Sequence, residues 1–357
     1  MSPGPNGETA RAIDAPKRSA WDQLLRLPAG IAVPRSAVVV VGLAVSAVCF
    51  WVALRRVSLG DVWASLESAR WQWLVPSIAL VYATIAVRAV RWRFLFHDPG
   101  EVSTWEASKT LNIGLMFNSI LPSRAGEVPR LFALARTTGL SKLEIGGTIL
   151  VERVLDLLAV AVVALIAWPW LPDRHWIDAL CVVCAFIVGG IVLAGLAIWL
   201  LRRPAVALTE RFLRWLPFLH SGRAADRAAS LVRGVRIVRE PRRLLLGLVL
   251  SAVVWAVTGL SVLALYPAFD LPATSSSVWL IVVATSLAMT VPSTSGGLGV
   301  YEAAVQSSLV AAGVATSPAL SFALVLHAVN LVPVSLTGAL AAWDSAAHPR
   351  STAAAGR

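Results

Sequence analysis

The 357-residue chain is 57% hydrophobic and only 14% charged, and its mean hydropathy is +0.73. Soluble domains carry about a quarter charged residues, so this composition excludes a soluble globular enzyme and a disordered chain. The apolar residues come in blocks long enough to cross a bilayer core as helices. Such blocks also disfavour a transmembrane β-barrel, whose strands would be about ten residues of alternating polarity.

The net charge of +11 is concentrated rather than spread along the chain. Residues 202–243 contain eleven arginines against Glu210, Asp226 and Glu240. A basic loop between apolar blocks is typical of a cytoplasmic segment that lies on an anionic membrane surface. We therefore expect contact with membrane lipids and no nucleic-acid partner.

The predicted transmembrane domain covers residues 37–343 and contains six full helices. A polar leader, 1–36, precedes it and is predicted to be disordered, and a short tail, 344–357, follows. Lysine and arginine collect in the leader, the 202–243 loop and the tail, which predicts cytoplasmic termini in a multi-pass protein of the cytoplasmic (inner) membrane. The six predicted spans are Ala37–Leu54, Leu74–Val90, Gly146–Leu171, Ile177–Leu201, Leu244–Phe269 and Ala319–Trp343.

Two further apolar segments are interrupted. Thr104–Gly139 breaks after Leu121, and Ser277–Val314 breaks after Val291. The charge pattern requires each segment to return to the side from which it starts, so each is either two full spans or a re-entrant helical hairpin. The polar second arm of the first segment favours hairpins, because non-helical backbone at membrane depth is tolerated only inside protein or beside a wet cavity.

The two breaks share a sequence pattern. Pro122-Ser123-x-x-Gly126 matches Pro292-Ser293-x-x-Gly296, and the two hairpins would open from opposite sides. Paired interrupted segments of opposite orientation indicate an inverted-repeat transporter with its site near the midplane. The predicted fold is therefore all-α, with about six full transmembrane helices plus two oppositely oriented re-entrant helical hairpins. The alternative is that proline and glycine only end helices here.

The third predicted span contains ionised residues. Glu152 and Asp156 are four positions apart and share a helix face, and a charge at the centre of a spanning helix costs roughly 2.5–3.5 kcal/mol. These carboxylates must therefore face protein, water or substrate. Arg153 can reach Asp156 or Glu127. Two interpretations stay open: an ion pair that fixes the first hairpin, or a site that relays protons or binds a headgroup.

The first break also predicts an anion site. Arg124 lies in the break and Arg130 follows it, and the arginine fork suits phosphate. Helix N-termini that follow Pro122 and Pro292 would aim free N–H groups at the same place, which favours anions. The alternative for Arg124 is a position at the membrane interface.

The second break is rich in serine and glycine. Serine caps helices by default, and the glycines give the break backbone freedom. Glu302, on the following arm, is interpreted as a proton carrier or an arginine partner, and His327 as a packing residue. The predicted substrate-binding or transport residues are Asn118, Pro122, Ser123, Arg124, Gly126, Glu127, Arg130, Glu152, Arg153, Asp156, Pro292, Ser293, Gly296, Gly297, Gly299 and Glu302.

Several enzymatic signatures are missing from the sequence. It has no phosphate-binding Gly-x4-Gly-Lys-Ser/Thr loop, no Gly-x-Ser-x-Gly elbow and no His/Cys cluster with metal spacing. We expect no cofactor, no metal site and no enzymatic activity.

Three motifs resemble those of the lysylphosphatidylglycerol synthase transmembrane, or flippase-like, family. They are Asn112-Ile-Gly114 with Asn118-Ser-Ile-Leu-Pro122-Ser-Arg-Ala-Gly126-Glu127 and Arg130, then Glu152-Arg153-Val-Leu-Asp156, then Val291-Pro292-Ser-Thr-Ser-Gly296-Gly297-Leu-Gly299-Val-Tyr301-Glu302. Ser295 stands where the family pattern leads us to expect a second proline. The motifs occur in the expected order and cover roughly 75–341.

The resemblance implies a polytopic domain that moves lipids between leaflets. In bifunctional members a soluble domain follows that transfers an amino acid onto phosphatidylglycerol, and we expect this chain to be a stand-alone member without it. Our hypothesis is a flippase for a phosphate-bearing glycolipid or polyprenyl-linked lipid. The rivals are a transporter of small anions, an integral-membrane enzyme with Glu127 or Asp156 as base, and an accessory subunit of a membrane glycosyltransferase or lipid synthase.

Overall fold

A computed structural model describes residues 35–54, 57–121, 126–200, 240–272, 274–290 and 293–347. The described part of the chain is helical and contains no strand. Most of the predicted leader, the 202–243 loop and the tail lie outside the described residues. The eleven α-helices of the described residues are α1 (Arg35–Leu54), α2 (Leu59–Glu67), α3 (Leu74–Leu95), α4 (Thr104–Ile120), α5 (Glu127–Thr138), α6 (Lys142–Ala167), α7 (His175–Leu200), α8 (Pro241–Leu265), α9 (Ser275–Ala288), α10 (Val300–Ala311) and α11 (Thr316–Ala347).

Local sequence sets several helix ends. The side chain of Ser103 caps α4 and forms a capping box with Glu106, which satisfies two backbone N–H groups that have no partner within the helix. Ser141 and Thr274 cap α6 and α9 with a single side-chain hydrogen bond each, from the N–H groups of Glu144 and Ser277. Gly139 adopts φ 73° after α5, a left-handed conformation that glycine adopts without steric cost. These residues determine where α4, α6 and α9 begin and where α5 ends.

Among the residues that the structure describes, four helices are long and apolar enough to cross a membrane, judged by length and composition. A fifth would be added if α1 and α2, which are bent by 81° at their junction, formed one span. Helix α6, with 26 residues, contains the ionised residues that the sequence placed in the third predicted span. The four are Trp71–Leu95, His175–Ala194, Pro241–Phe269 and Thr316–Ala347.

The outward surface of these helices is apolar. Phe186 is 76% exposed, Leu193 67% and Leu340 69%. Exposed tryptophans lie near helix ends, including Trp170 and Trp343, as in the aromatic belts of membrane proteins. These features, with the long apolar helices, point to a multi-pass membrane protein.

Both interrupted segments form pairs of packed helices. Helix α4 packs against α5 across the first break, and α9 packs against α10 across the second. Residues 122–125 and 291–292 lie outside the described part. The short 3-10 turn Ser295–Gly297 packs against α4. A Cβ built on Gly296 would lie 3.6 Å from the carbonyl oxygen of Ser119, so the second break approaches the end of α4.

The direction of the first pair follows from contacts between α4 and α11. Lys109 forms an ion pair with Asp344 near the start of α4. Ser335 donates a hydrogen bond to Ser119 near the end of α4, with an O–O distance of 3.1 Å. Residue numbers rise along α4 while they fall along α11, so the two helices are antiparallel.

The second pair is oriented by contacts between α10 and α11. The amide of Asn330 lies 3.4 Å from the hydroxyl of Tyr301, and Gln306 donates to the carbonyl oxygen of Thr316. Helix α10 is therefore also antiparallel to α11 and parallel to α4. Because α4 leads into the first break and α10 leads away from the second, the two helix pairs point their tips at each other.

Helices α4 and α11 approach closely at a glycine. A Cβ on Gly338 would overlap the carbonyl oxygen of Asn112 and crowd Met116. In contrast, a Cβ on Gly189 of α7 would meet no atom within 4 Å. An added methyl group would clash at Gly338 but not at Gly189. Alanine substitutions at the two positions therefore distinguish the effect of packing from the higher helix propensity of alanine.

We predict that Gly338→Ala lowers stability by about 1–3 kcal/mol, because overpacking at a backbone contact forces the helices apart. Gly189→Ala is the matched control and should be neutral or raise stability by up to about 1 kcal/mol, since alanine is the better helix former. Unfolding of the purified proteins in detergent measures both. Equal stability of the two variants would contradict the close packing of α4 and α11.

Candidate functional site

A buried arginine joins three helices. The Nη1 atom of Arg91 in α3 donates to Asp156 of α6 at 2.5 Å and to Ser251 of α8 at 2.8 Å. Its Nη2 atom donates to Glu152 at 3.3 Å. Arg91 and Glu152 are both fully buried. A buried charge of this kind is stable only when it is paired and hydrogen-bonded.

The same carboxylate anchors the first helix pair. Arg130 of α5 donates to the second oxygen of Glu152 at 2.7 Å, and its guanidinium lies 3.6 Å from the centroid of the Trp92 ring. The indole N–H of Trp92 donates to Thr148 at 3.0 Å. Glu152 therefore links α5 and α3 to α6 through its two oxygens.

A more open ion pair forms the edge of this network. The Nε atom of Arg153 lies 2.7 Å from Glu127, and both side chains are a little over a third exposed. Arg153 lies farther, at 3.9 Å, from both Glu152 and Asp156. The sequence left open whether Arg153 pairs with Asp156 or Glu127, and the structure favours Glu127.

One arginine near the network has no such partner. Arg88 precedes Arg91 by one helical turn, and its buried Nε atom makes no hydrogen bond. Within the described residues Arg88 forms no hydrogen bond or ion pair. With Arg88 included, the described residues of this group contain four arginines and three carboxylates, which leaves one positive charge in excess. The group consists of Arg88, Arg91, Arg130 and Arg153 with Glu127, Glu152 and Asp156.

Arg88 lines two adjoining cavities. The tip cavity, about 300 Å³, lies between the end of α4 and the second break, with Ser119, Ser293 and His327 in its wall. The network cavity, about 350 Å³, lies against Asp156 and the Arg153 ion pair. Both walls include Arg88 together with Asn118, Thr258, Tyr301 and Asn330. These volumes fall at the lower end of the range for ligand pockets.

Glycine conformation shapes the second break. Gly296, Gly297 and Gly299 have φ values of 71°, 76° and 85°, a region that side chains with a Cβ rarely adopt. The N–H of Gly299 donates to Oε2 of Glu302 at 2.7 Å. The other oxygen of Glu302 lies 2.7 Å from Nδ1 of His327.

Two contacts of the second break bear on the sequence-based expectations. The backbone N–H at the start of α10 was expected to face an anion, but the carboxylate of Glu302 caps it, because a glutamate three residues on reaches back to this position. Glu302 was interpreted as a proton carrier or an arginine partner. Its contact partner is His327 instead of an arginine, and the role of proton carrier stays a prediction.

The predicted site residues divide into four groups. Asn118, Ser293, Gly296 and Gly297 line the tip cavity. Asn118, Glu127, Arg153 and Asp156 line the network cavity. The residues that line neither cavity hold the surrounding helices; they are Gly126, Arg130, Glu152, Gly299 and Glu302. The N–H of Gly126 donates to the side-chain oxygen of Asn118. Pro122, Ser123, Arg124 and Pro292 lie outside the described residues.

Sequence reasoning missed Arg88, Arg91 and His327 as site residues. The two arginines were interpreted as the basic end of a predicted span. Their spacing of three positions was the one sequence signal that they share a helix face. His327 was interpreted as a packing residue because no partner is near it in sequence. Within the described residues, no group of three His, Cys, Asp or Glu side chains could hold a metal ion.

A family model described as "Lysylphosphatidylglycerol synthase TM region" matches residues 39–338. The chain belongs to this family. The match includes both helix pairs, the arginine–carboxylate network and the His327 contact, and it confirms the resemblance inferred from the three motifs. Membership of the family associates this membrane protein with lipid handling. Searches of curated proteins and of solved structures found no match.

We predict that Glu152→Gln lowers stability by about 3–5 kcal/mol, because it leaves Arg91 and Arg130 buried without their shared carboxylate. The control is Asp270→Asn, which breaks the ion pair with Arg70 where both side chains are more than half exposed. That change should cost less than about 1 kcal/mol. Unfolding in detergent compares the two, and equal losses would refute a structural role for the network.

Proposed function

We propose that this family member moves a lipid with a phosphate-bearing headgroup between the two leaflets of a membrane. The headgroup binds in the adjoining cavities between the helix tips, while the acyl or polyprenyl tails stay in the bilayer. Membership of a family associated with lipid handling supports the lipid. The unpaired Arg88 in both cavity walls supports the anionic headgroup.

Arg88 carries the proposal. An arginine in a membrane segment is costly unless it faces a partner or a wet cavity, and the neighbouring arginines already have carboxylate partners. The single excess positive charge fits one phosphodiester, which carries a single negative charge. The planar fork of arginine suits two phosphate oxygens, and Asn118 and Thr258 offer polar groups beside it.

The opposed tips support an alternating route for the headgroup. We propose that α4–α5 and α9–α10 are re-entrant hairpins that enter from opposite sides, as in inverted-repeat transporters. Non-helical backbone at the two breaks would then lie beside a cavity instead of lipid. About six full spans complete this topology. Helix α6 is one of them, because its carboxylates are paired with arginines and do not face lipid.

The arginine-rich segment 202–243 suggests the orientation. A basic segment prefers the cytoplasmic side, so we propose that the termini and this segment face the cytoplasm of an inner membrane. Anionic lipids of the inner leaflet would then gather near it. A membrane glycosyltransferase or lipid synthase is the proposed source of the lipid.

We predict that Arg88→Gln slows lipid translocation about ten- to hundredfold, because a hydrogen bond to a charged group contributes about 1.5–3 kcal/mol. Proteoliposomes with fluorescent phosphatidylglycerol, quenched from outside over time, measure the rate. Arg88→Lys should retain part of the activity, since it keeps the charge without the fork. Stability should change little, because Arg88 leaves no partner behind.

Arg93→Gln is the matched control on the same helix. Its Nε atom donates to the carbonyl oxygen of Pro99, away from both cavities, so this variant should translocate lipid at the wild-type rate. An Arg88→Gln rate equal to wild type would refute the proposed headgroup site. Uptake of inorganic phosphate without lipid movement would instead favour a small-anion transporter, and chemical conversion of the lipid would favour an enzyme.

A further inference from the structure

His327 lies between two oxygen atoms. Its Nδ1 atom is 2.7 Å from Oε1 of Glu302, and its Nε2 atom is 3.0 Å from the carbonyl oxygen of Gly296. His327 and Glu302 are buried, with 6% and 2% of their surfaces exposed. The imidazole thus connects α11 both to α10 and to the second break.

These two contacts require one additional proton. A neutral imidazole has a single N–H, and the carbonyl oxygen of Gly296 can only accept. With a neutral ring and an ionised carboxylate, one contact would bring two lone pairs together. The second oxygen of Glu302 already accepts from Gly299, which favours an ionised carboxylate opposite a doubly protonated His327.

We propose that His327 and Glu302 form a proton-binding site and that loss of this proton releases the second tip from α11. The site takes a single proton from water in the tip cavity, which His327 lines. The coupling to transport rests on the proposed lipid translocation. The proton count itself rests only on the geometry of the three groups.

Few other charges face this site. The ring of Tyr301 stacks on His327 with a centroid distance of 4.4 Å, and an aromatic face attracts a cation. Arg88 of α3 lies in the same cavity wall. Among the described residues, α4, α8 and α11 also line this cavity, and apart from His327 their side chains there are uncharged. No residue of α2 lines it. Glu302 is thus the one carboxylate in contact with the imidazole.

Proton loss changes the contacts of the break. The neutral imidazole keeps one N–H and can hold Glu302 or Gly296, but not both. The buried pair then has a net negative charge, which is unfavourable inside a membrane. Release of the Gly296 carbonyl frees a glycine-rich turn that lies beside Ser119 of the first tip. The space between the tips can then widen, which lets a bound headgroup leave.

The proton count can be measured without transport. Protein labelled with ¹⁵N-histidine is studied by NMR in lipid nanodiscs, and the His327 signals are those lost in His327→Gln. In the wild type near pH 7 we expect both ring nitrogens of His327 to carry protons. Glu302→Gln should lose the second proton. A singly protonated His327 in the wild type near pH 7 would overturn the proposal.

The coupling is tested in proteoliposomes made with phosphatidylglycerol, so that the headgroup site stays occupied. We expect the wild-type rate to rise with pH by up to about tenfold per unit, as for release of one proton. His327→Gln and Glu302→Gln should lose this dependence. His175→Gln, which changes an exposed histidine at the start of α7, should keep it. Unfolding in detergent confirms that each variant is folded.

The two proposals fail in different ways. Translocation that is lost in Arg88→Gln but independent of pH in the wild type would overturn the coupling and leave the headgroup site standing. No translocation by wild-type protein under any condition would overturn the proposed function, and the NMR experiment would still decide whether His327 holds the proton.

Discussion

A guanidinium in apolar surroundings needs a partner, and this constraint organises the structure. Arg91 and Arg130 share the carboxylate of Glu152, and removal of Glu152 would leave the buried Arg130 without its carboxylate partner. Through these contacts the network holds α5 against α3 and α6. Arg88 lies one turn away from Arg91 on the same helix but faces the cavities, and it has no hydrogen-bond or ion-pair partner among the described residues.

The two tips are held by different kinds of contact. The first is fixed through α5 by permanently charged arginines that pair with carboxylates. The second is held to α11 through the imidazole of His327, a group that can take up or release a proton. Three glycines with positive φ give the second break the conformational freedom that movement requires. The second tip is therefore the better candidate for the moving part.

The helices could be predicted because apolar length and caps are local properties of the sequence. The interrupted segments ended within a few residues of their predicted bounds, and the glycines of the second break have the backbone conformation that glycine permits. The partners could not be predicted in this way. Arg88 and Arg91 look alike in sequence, and only packing against α6 and α8 decides which one is neutralised. His327 and Glu302 are 25 residues apart and meet through tertiary structure alone.

Charge links the two proposed binding sites. With a proton on the His327–Glu302 pair, that pair is neutral and Arg88 leaves one positive charge in the cavity wall, which one anionic headgroup neutralises. Without the proton, the pair is negative and itself offsets Arg88. The cavity is thus neutral with both the anion and the proton bound, or with neither. Because linkage is reciprocal, each ligand then raises the affinity for the other, and proton loss both weakens the hold of Arg88 on the headgroup and frees the second tip.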